Sequence, residues 1–251
     1  MHSILIIGQS NMAGRGYVED VSPITNKNIF VLKNGIFRPM FVPVNPDIAT
    51  SGISLAESFA DLYSRERGVE IGIIPCADGG SSLNMWQEGS ILFDHACYMA
   101  SLASRTSEIV GVLWHQGESD SSEDSYGKYG EKLRLIFDAL RERLGLYDTP
   151  FIVGGLGDFL VENPDPARRE KFKYYYKVNE ALENMAKQDD RVGFASAKGL
   201  DSNPDYLHFS AVAQREFGER YYREFVKLER SDKVKEIEAR QRAKEGDLES
   251  L

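Results

Sequence analysis

The sequence predicts an α/β protein built on a mostly parallel sheet of five strands, covered by helices on both faces. Three observations predict it. Short, nearly continuous apolar runs recur along the chain, as they do in strands buried on both faces. Amphipathic stripes at helical spacing separate them. Three of the runs break at once into glycine-rich or polar turns, the place where open α/β sheets carry their ligand chemistry.

The first strand is Ile4-Leu5-Ile6-Ile7, ended by Gly8-Gln9-Ser10-Asn11-Met12-Ala13-Gly14, so a serine follows a sharp turn. No Gly-Lys-Ser/Thr follows to make a phosphate loop, and no glycine stands two residues after Ser10 to make a nucleophile elbow. Residues 17–50 hold Pro23, Pro39, Pro43 and Pro46 and only one short strand-like run, Ile29-Phe30-Val31-Leu32. A long irregular excursion in a compact domain is usually functional, and its aromatics and its place after Ser10 make it the expected wall of a substrate site.

Leu55, Phe59 and Tyr63 then mark a helix from about Ser54 to Arg67, stopped by Gly68. Strand two, Ile71-Gly72-Ile73-Ile74, ends in Pro75-Cys76-Ala77-Asp78-Gly79-Gly80-Ser81-Ser82, with Trp86 close behind. A helix over Phe93 to Ser104 leads to strand three, Ile109-Val110-Gly111-Val112-Leu113-Trp114, and straight into His115-Gln116-Gly117-Glu118-Ser119-Asp120. Tyr129, Leu133, Ile136, Phe137, Leu140 and Leu144 stripe a long helix closed by Gly145. Strand four is Phe151-Ile152-Val153, a helix runs from Phe172 to Ala186, and strand five is Val192-Gly193-Phe194-Ala195. Asp205-Tyr206-Leu207-His208-Phe209-Ser210 precedes the last core helix, with Ser210 as its N-cap and Phe217, Tyr221, Phe225 and Leu228 on one face.

Composition bounds the organisation and the partners. A chain of 251 residues with 42% hydrophobic content supports one domain, residues 1–229. Residues 230–251 read as a charged helical extension, with Glu236–Arg240 and Glu238–Arg242 at i, i+4; a solvated tail is expected, and a homo-oligomer contact is the sharper alternative. A net charge of −9 argues against nucleic acid or an anionic membrane as partner and suits a neutral substrate. Cys76 and Cys97 lack the spacing of a disulfide framework or a metal site and read as small core residues in a reducing compartment. Strand residues begin at position 3, which leaves no room for a leader, and no stretch is apolar enough to span a membrane; a cytoplasmic protein is expected.

In a parallel sheet Ser10, Gly79-Gly80 and Gln116 all lie at one edge. With His208 and Asp205 they complete the parts of an acyl-transfer enzyme. A serine hydroxyl needs a base to take its proton, and His208 is the candidate. Asp205, three residues earlier, can fix the imidazole if Asp-x-x-His forms one turn. The N–H groups of Ser10 and Gly80 and the side-chain amide of Gln116 are the candidate oxyanion donors. His115, Glu118 and Asp120 invite a metal reading, but at that spacing they seldom point together, so neither metal nor cofactor is expected.

The blocks Gly8-Gln9-Ser10-Asn11-Met12, Gly79-Gly80-Ser81-Ser82 with Trp86, Trp114-His115-Gln116-Gly117-Glu118-Ser119-Asp120, and Asp205-Tyr206-Leu207-His208-Phe209 resemble those of the sialate O-acetylesterase and acetylxylan esterase family, carbohydrate esterase family 6, within the SGNH hydrolases. The likeness spans position 4 to about 220, and its first and third blocks are the specific ones. It implies a three-layer, flavodoxin-like α/β/α sandwich and metal-free ester hydrolysis, with Ser10 as nucleophile, His208 as base and Asp205 as its partner. Gln116 stands where the wider superfamily supplies an Asn to the oxyanion hole.

Glu118 is the rival of Asp205 for orienting the histidine, though a buried support of the Gln116 loop is its favoured role; Asp201 is a third choice and His115 is structural. Gln9, Asn11, Gly79, Trp86 and Asp120 are read as supporting or substrate-binding residues, and Trp86 has either a sugar-stacking or an apolar packing role. The expected substrate is a small O-acetylated sugar or oligosaccharide, such as an acetylated xylo-oligosaccharide or sialic acid. A lipid or thioester acylhydrolase and a non-catalytic carbohydrate-binding protein are the alternatives.

Overall fold

Parallel strands can be joined only by crossovers, and the alternation of strand and helix here yields them. The computed structural model describes the backbone of residues 1–248 and the side chains of residues 1–229. In chain order its elements are β1 (His2–Gly8), α1 (Ser10–Ala13), β2 (Ile29–Lys33), β3 (Ile36–Pro39), α2 (Leu55–Arg67), β4 (Ile71–Pro75), α3 (Ile91–Ala103), β5 (Glu108–His115), α4 (Tyr129–Leu144), β6 (Phe151–Gly154), α5 (Pro166–Lys171), α6 (Tyr175–Gln188), β7 (Val192–Ala195) and α7 (Ala211–Leu248). One sheet runs β3-β2-β4-β1-β5-β6-β7, parallel throughout except for β3 against β2. Helices α2 and α7 cover one face and α3, α4 and α6 the other, giving the expected three layers.

Seven strands replace the five expected, because residues 17–50 are less irregular than their prolines suggest. Ile29–Lys33 joins β4 in parallel, and Asn34-Gly35 turns the chain back into β3. Asn34 and Gly35 have φ of 53° and 75°, the pair of positive values that a two-residue type I′ hairpin needs. The Asn-Gly dipeptide was the signal for this hairpin; the short, partly exposed β3 hid it.

Strand β1 is central, and Ile4, Leu5, Ile6 and Ile7 are buried on both sides. Below the sheet Phe59 of α2 meets Phe225 of α7 edge to face, with ring centroids 5.6 Å apart; above it Trp114 of β5 meets Phe137 of α4 at 5.8 Å. Helix α2 starts on the Ser54 capping box with Glu57 and ends at Gly68, as its sequence signals require. Ser210 caps α7, its Oγ accepting from the Ala213 N–H at 3.1 Å. The helix expected over 172–186 is α6, and a separate short helix, α5, precedes it with Pro166 at its start. Cys76 and Cys97 are buried free thiols. Among the described residues no helix is long and apolar enough to cross a membrane. The side-chain pairs expected in the 230–251 extension lie outside the described side chains.

Candidate active site

Parallel pairing brings the carboxyl ends of three strands together. Gly8 of β1 sits opposite His115 of β5, and Ile6 opposite Pro75 of β4. The segments after them, Gln9-Ser10, Ala77–Gly80 and Gln116–Asp120, therefore share one edge. Gly8 makes the approach possible: a Cβ there would stand 2.1 Å from the His115 carbonyl oxygen, and its φ of +129° is open to glycine. Ser10 opens the short helix α1, so its own N–H has no partner among the described residues.

The chain between Asn203 and Phe209 forms a closed turn. The Asn203 N–H donates to the His208 carbonyl at 2.7 Å, and the Tyr206 N–H to the Asn203 carbonyl at 3.1 Å. Inside it Asp205 Oδ1 accepts from the N–H groups of Leu207 and His208 at 2.9 and 3.0 Å, while Oδ2 meets His208 Nδ1 at 2.7 Å. His208 Nε2 lies 3.0 Å from Ser10 Oγ. Asp205, His208 and Ser10 thus form one hydrogen-bonded line, 198 residues apart in sequence at its far link. Half-burial opposes the charge on Asp205, but the His208 ring N–H, the two backbone N–H groups and the imidazole beside it outweigh burial and hold the carboxyl down at about 2.

This line opens on a pocket of about 310 Å³ lined by Gln9, Ser10, Arg15, Ile48, Gly79 and Gly80 on one side and by Glu118, Ser119, Lys171, Phe172, Leu207 and His208 on the other. Gly80 has φ of +77°, and its N–H has no partner among the described residues. Gln9 Oε1 accepts from the N–H groups of Gly117 and Ser119, both at 3.3 Å, tying the first block to the third.

Gln116 sits elsewhere than its assigned role requires, and of the two roles open to Trp86 the structure leaves the packing one. Gln116 is fully buried and does not line the pocket. Its two amide N–H bonds go to the Ser81 carbonyl at 3.1 Å and Asp120 Oδ2 at 2.6 Å, so the expectation that it donates to an oxyanion is corrected: the amide is spent on joining two loops. Asp120 serves the same junction, also accepting the Leu83 N–H at 2.9 Å. Trp86 is 1% exposed, packs edge to face on Trp114 and donates its indole N–H to Ser81 Oγ. No face of it is left for a sugar. The aromatics of residues 17–50 are corrected likewise: Phe30 and Phe37 are strand residues, Phe37 lying over Gly72, and of that segment only Ile48 lines the pocket.

Glu118 makes no hydrogen bond to His208. Its Oε1 accepts from Asn11 Nδ2 at 2.5 Å and faces His115 Nε2 at 3.3 Å. Burial alone would raise its pKa, but the His115 and Asn11 donors outweigh it and bring it below the ordinary value. Asp201 has no bond to the His208 ring, and His115 is a core residue whose Nδ1 faces the Tyr221 hydroxyl at 3.3 Å.

The sequence reading missed Arg15 and Asp47. Their side chains are buried and pair through two bonds, Nη1 to Oδ1 at 3.0 Å and Nη2 to Oδ2 at 2.6 Å. Asp47 Oδ2 also accepts the Gly79 N–H at 2.9 Å, and Asn45 pairs with both the N–H and the carbonyl of Ala77 at 2.9 Å. The loop 45–47 therefore clamps the turn that presents Gly80. Arg15 stands directly after the first block and was its visible signal; Asp47 carries none, because its partners come from two other segments.

Relatives match most of the chain. A family model described as carbohydrate esterase, sialic acid-specific acetylesterase, matches residues 1–227. A probable carbohydrate esterase of Arabidopsis thaliana is 28% identical over 237 residues, which cover 85% of this chain and 86% of the relative. An X-ray structure of an Arabidopsis thaliana protein aligns with a TM-score of 0.78 at 26% identity, covering 90% of this chain and 98% of that one. A carbohydrate acetylesterase of Xanthomonas citri shares the fold, with a TM-score of 0.65 at 18% identity over 88% of this chain and 55% of that one. With the four sequence blocks gathered at one sheet edge and a family match over nearly its full length, the chain belongs to the carbohydrate esterase family of sialic acid-specific acetylesterases and is an esterase.

Proposed function

We propose that the chain removes O-acetyl groups from carbohydrates through a covalent acetyl-enzyme on Ser10. The observation that carries this reading is the line Asp205–His208–Ser10, with links of 2.7 and 3.0 Å, at the mouth of the pocket. His208 Nε2 takes the Ser10 proton as Oγ attacks the acetyl carbonyl carbon. Asp205 keeps the imidazole in the tautomer that leaves Nε2 free to accept, and stabilises the imidazolium that forms. The N–H groups of Ser10 and Gly80 are the donors for the developing oxyanion. The tetrahedral species collapses, His208 returns the proton to the sugar oxygen, and the sugar leaves as an alcohol. Water then attacks the acetyl-enzyme with His208 again as base, releasing acetate and restoring Ser10.

The pocket supports a small acyl group and a polar alcohol. About 310 Å³ holds an acetyl group and part of a sugar ring, and Gln9, Arg15, Ser119 and Lys171 give its wall polar character. Ile48, Phe172 and Leu207 add an apolar wall, so it is the small volume that favours a short acyl group. Acetate release from acetylated xylo-oligosaccharides and from O-acetylated sialic acids tests the substrate, and p-nitrophenyl acetate against the octanoate tests the acyl length. Ser10→Ala and His208→Ala should each lower kcat on p-nitrophenyl acetate by roughly 10⁴-fold or more. Activity within tenfold of wild type in either variant refutes the mechanism.

A further inference from the structure

We propose that Asn11, fixed in one orientation by the buried carboxylate of Glu118, is a positioning residue that holds His208 against Ser10; this rests on the reading of Ser10 and His208 as nucleophile and base. Asn11 follows Ser10 on α1 and is 1% exposed. Its side chain grips both chain neighbours of His208. Oδ1 accepts the Phe209 N–H at 3.0 Å, and Nδ2 donates to the Leu207 carbonyl at 3.1 Å. The Asn11 carbonyl is held in turn by Gln214 Nε2 of α7 at 3.0 Å. One amide side chain thus ties the helix that carries Ser10 to both chain neighbours of His208.

An amide can be turned over with no change of shape, and the two orientations differ only in where donor and acceptor fall. Glu118 decides between them. Its Oε1 takes the second Nδ2 proton at 2.5 Å, and a turned amide would set an oxygen against both that carboxylate and the Leu207 carbonyl. Glu118 is 3% exposed, so this preference is expressed at low dielectric. The His115 ring at 3.3 Å from Oε1, with Tyr221 behind it, holds the carboxylate in place. A displacement of about 1 Å between reacting groups costs on the order of 10²-fold in rate.

The test is a donor–acceptor swap assayed on p-nitrophenyl acetate, with Ser10→Ala as reference. Asn11→Asp keeps the acceptor for Phe209 but sets a carboxylate oxygen against the Leu207 carbonyl and Glu118; kcat should fall roughly 10²-fold with KM within about threefold. Adding Glu118→Gln supplies an amide donor to the new carboxylate, and the double variant should recover at least about tenfold in kcat over the single one. A merely structural role would not give this rescue. If Ser10→Ala is inactive while Asn11→Asp retains kcat, or while the double variant is no faster than the single, the positioning role is overturned and the nucleophile assignment stands. If Ser10→Ala keeps the wild-type rate, the nucleophile assignment itself fails. Should Asn11→Asp not fold, Glu118→Leu, which removes the acceptor of the Asn11 Nδ2 proton, must lower kcat at unchanged KM, and an unchanged kcat overturns the proposal.

Discussion

Asp205 accepts three hydrogen bonds on two oxygens, and each has a separate task. The two on Oδ1 shape the turn and the one on Oδ2 aims the ring. The bonds hold the carboxyl at about 2 in the folded chain against an ordinary 3.8. A depressed carboxyl contributes stability that is full above the unfolded value and is lost as pH falls through the folded one. Asp205→Asn should therefore reduce stability to urea at about pH 6, and the difference from wild type should shrink between pH ~4 and ~2. Denaturation curves at a series of pH values check this, and a difference unchanged down to the lowest pH would refute it. The same residue shows what local sequence can reveal. Asp-x-x-His was legible because both partners lie in one turn, whereas the Asp47–Gly79 contact joins positions 32 apart and left no local pattern.

At the scale of elements, the strand-to-loop turns decide the site, and their glycines are not equivalent. A Cβ at Gly8 would meet the β5 backbone at 2.1 Å, while one at Gly80 would find nothing within 4 Å. Gly8→Ala should cost at least about 2 kcal/mol, since backbone conformation and packing both refuse it, and Gly80→Ala about 1 kcal/mol, since only conformation does. Thermal and urea unfolding of the two variants side by side measure the gap; equal costs would show that the close approach of β1 to β5 is not what requires Gly8. Helix α2 was readable because a capping box, an apolar stripe and a terminal glycine coincide in it, and α4 because it carries the stripe and the glycine. The β2–β3 hairpin was not, because a four-residue strand with no buried position shows little alternation.

For the whole molecule, α7 is the element that closes the fold. Phe217, Tyr221 and Phe225 are buried under the sheet, and Glu229 pairs with Arg67 of α2 through bonds of 3.1 and 2.6 Å. We propose that the esterase domain is residues 1–229 and that the charged segment beyond it contributes nothing to its stability. Removal of residues 231–251 should shift Tm by less than about 2 °C and leave the rate on p-nitrophenyl acetate unchanged. A loss of more than about 5 °C would mean that the extension packs on the domain or on a second copy of it.

The sequence by itself determined the α/β class, five of the strands and their succession along the chain, and the candidates Ser10, Asp205 and His208, because apolar runs, helical stripes and a single-turn Asp-x-x-His are written locally. Only the tertiary structure decided what the residues around them do. It turned Gln116 from an oxyanion donor into a loop brace, sank Trp86 into the core, and brought Asp47 and Asn11 to the backbone of segments 32 and 198 positions away. A side chain of fixed chemistry can donate to substrate or to its own protein. Which it does depends on the acceptors that folding places within 3 Å of it, and those come from elsewhere in the chain.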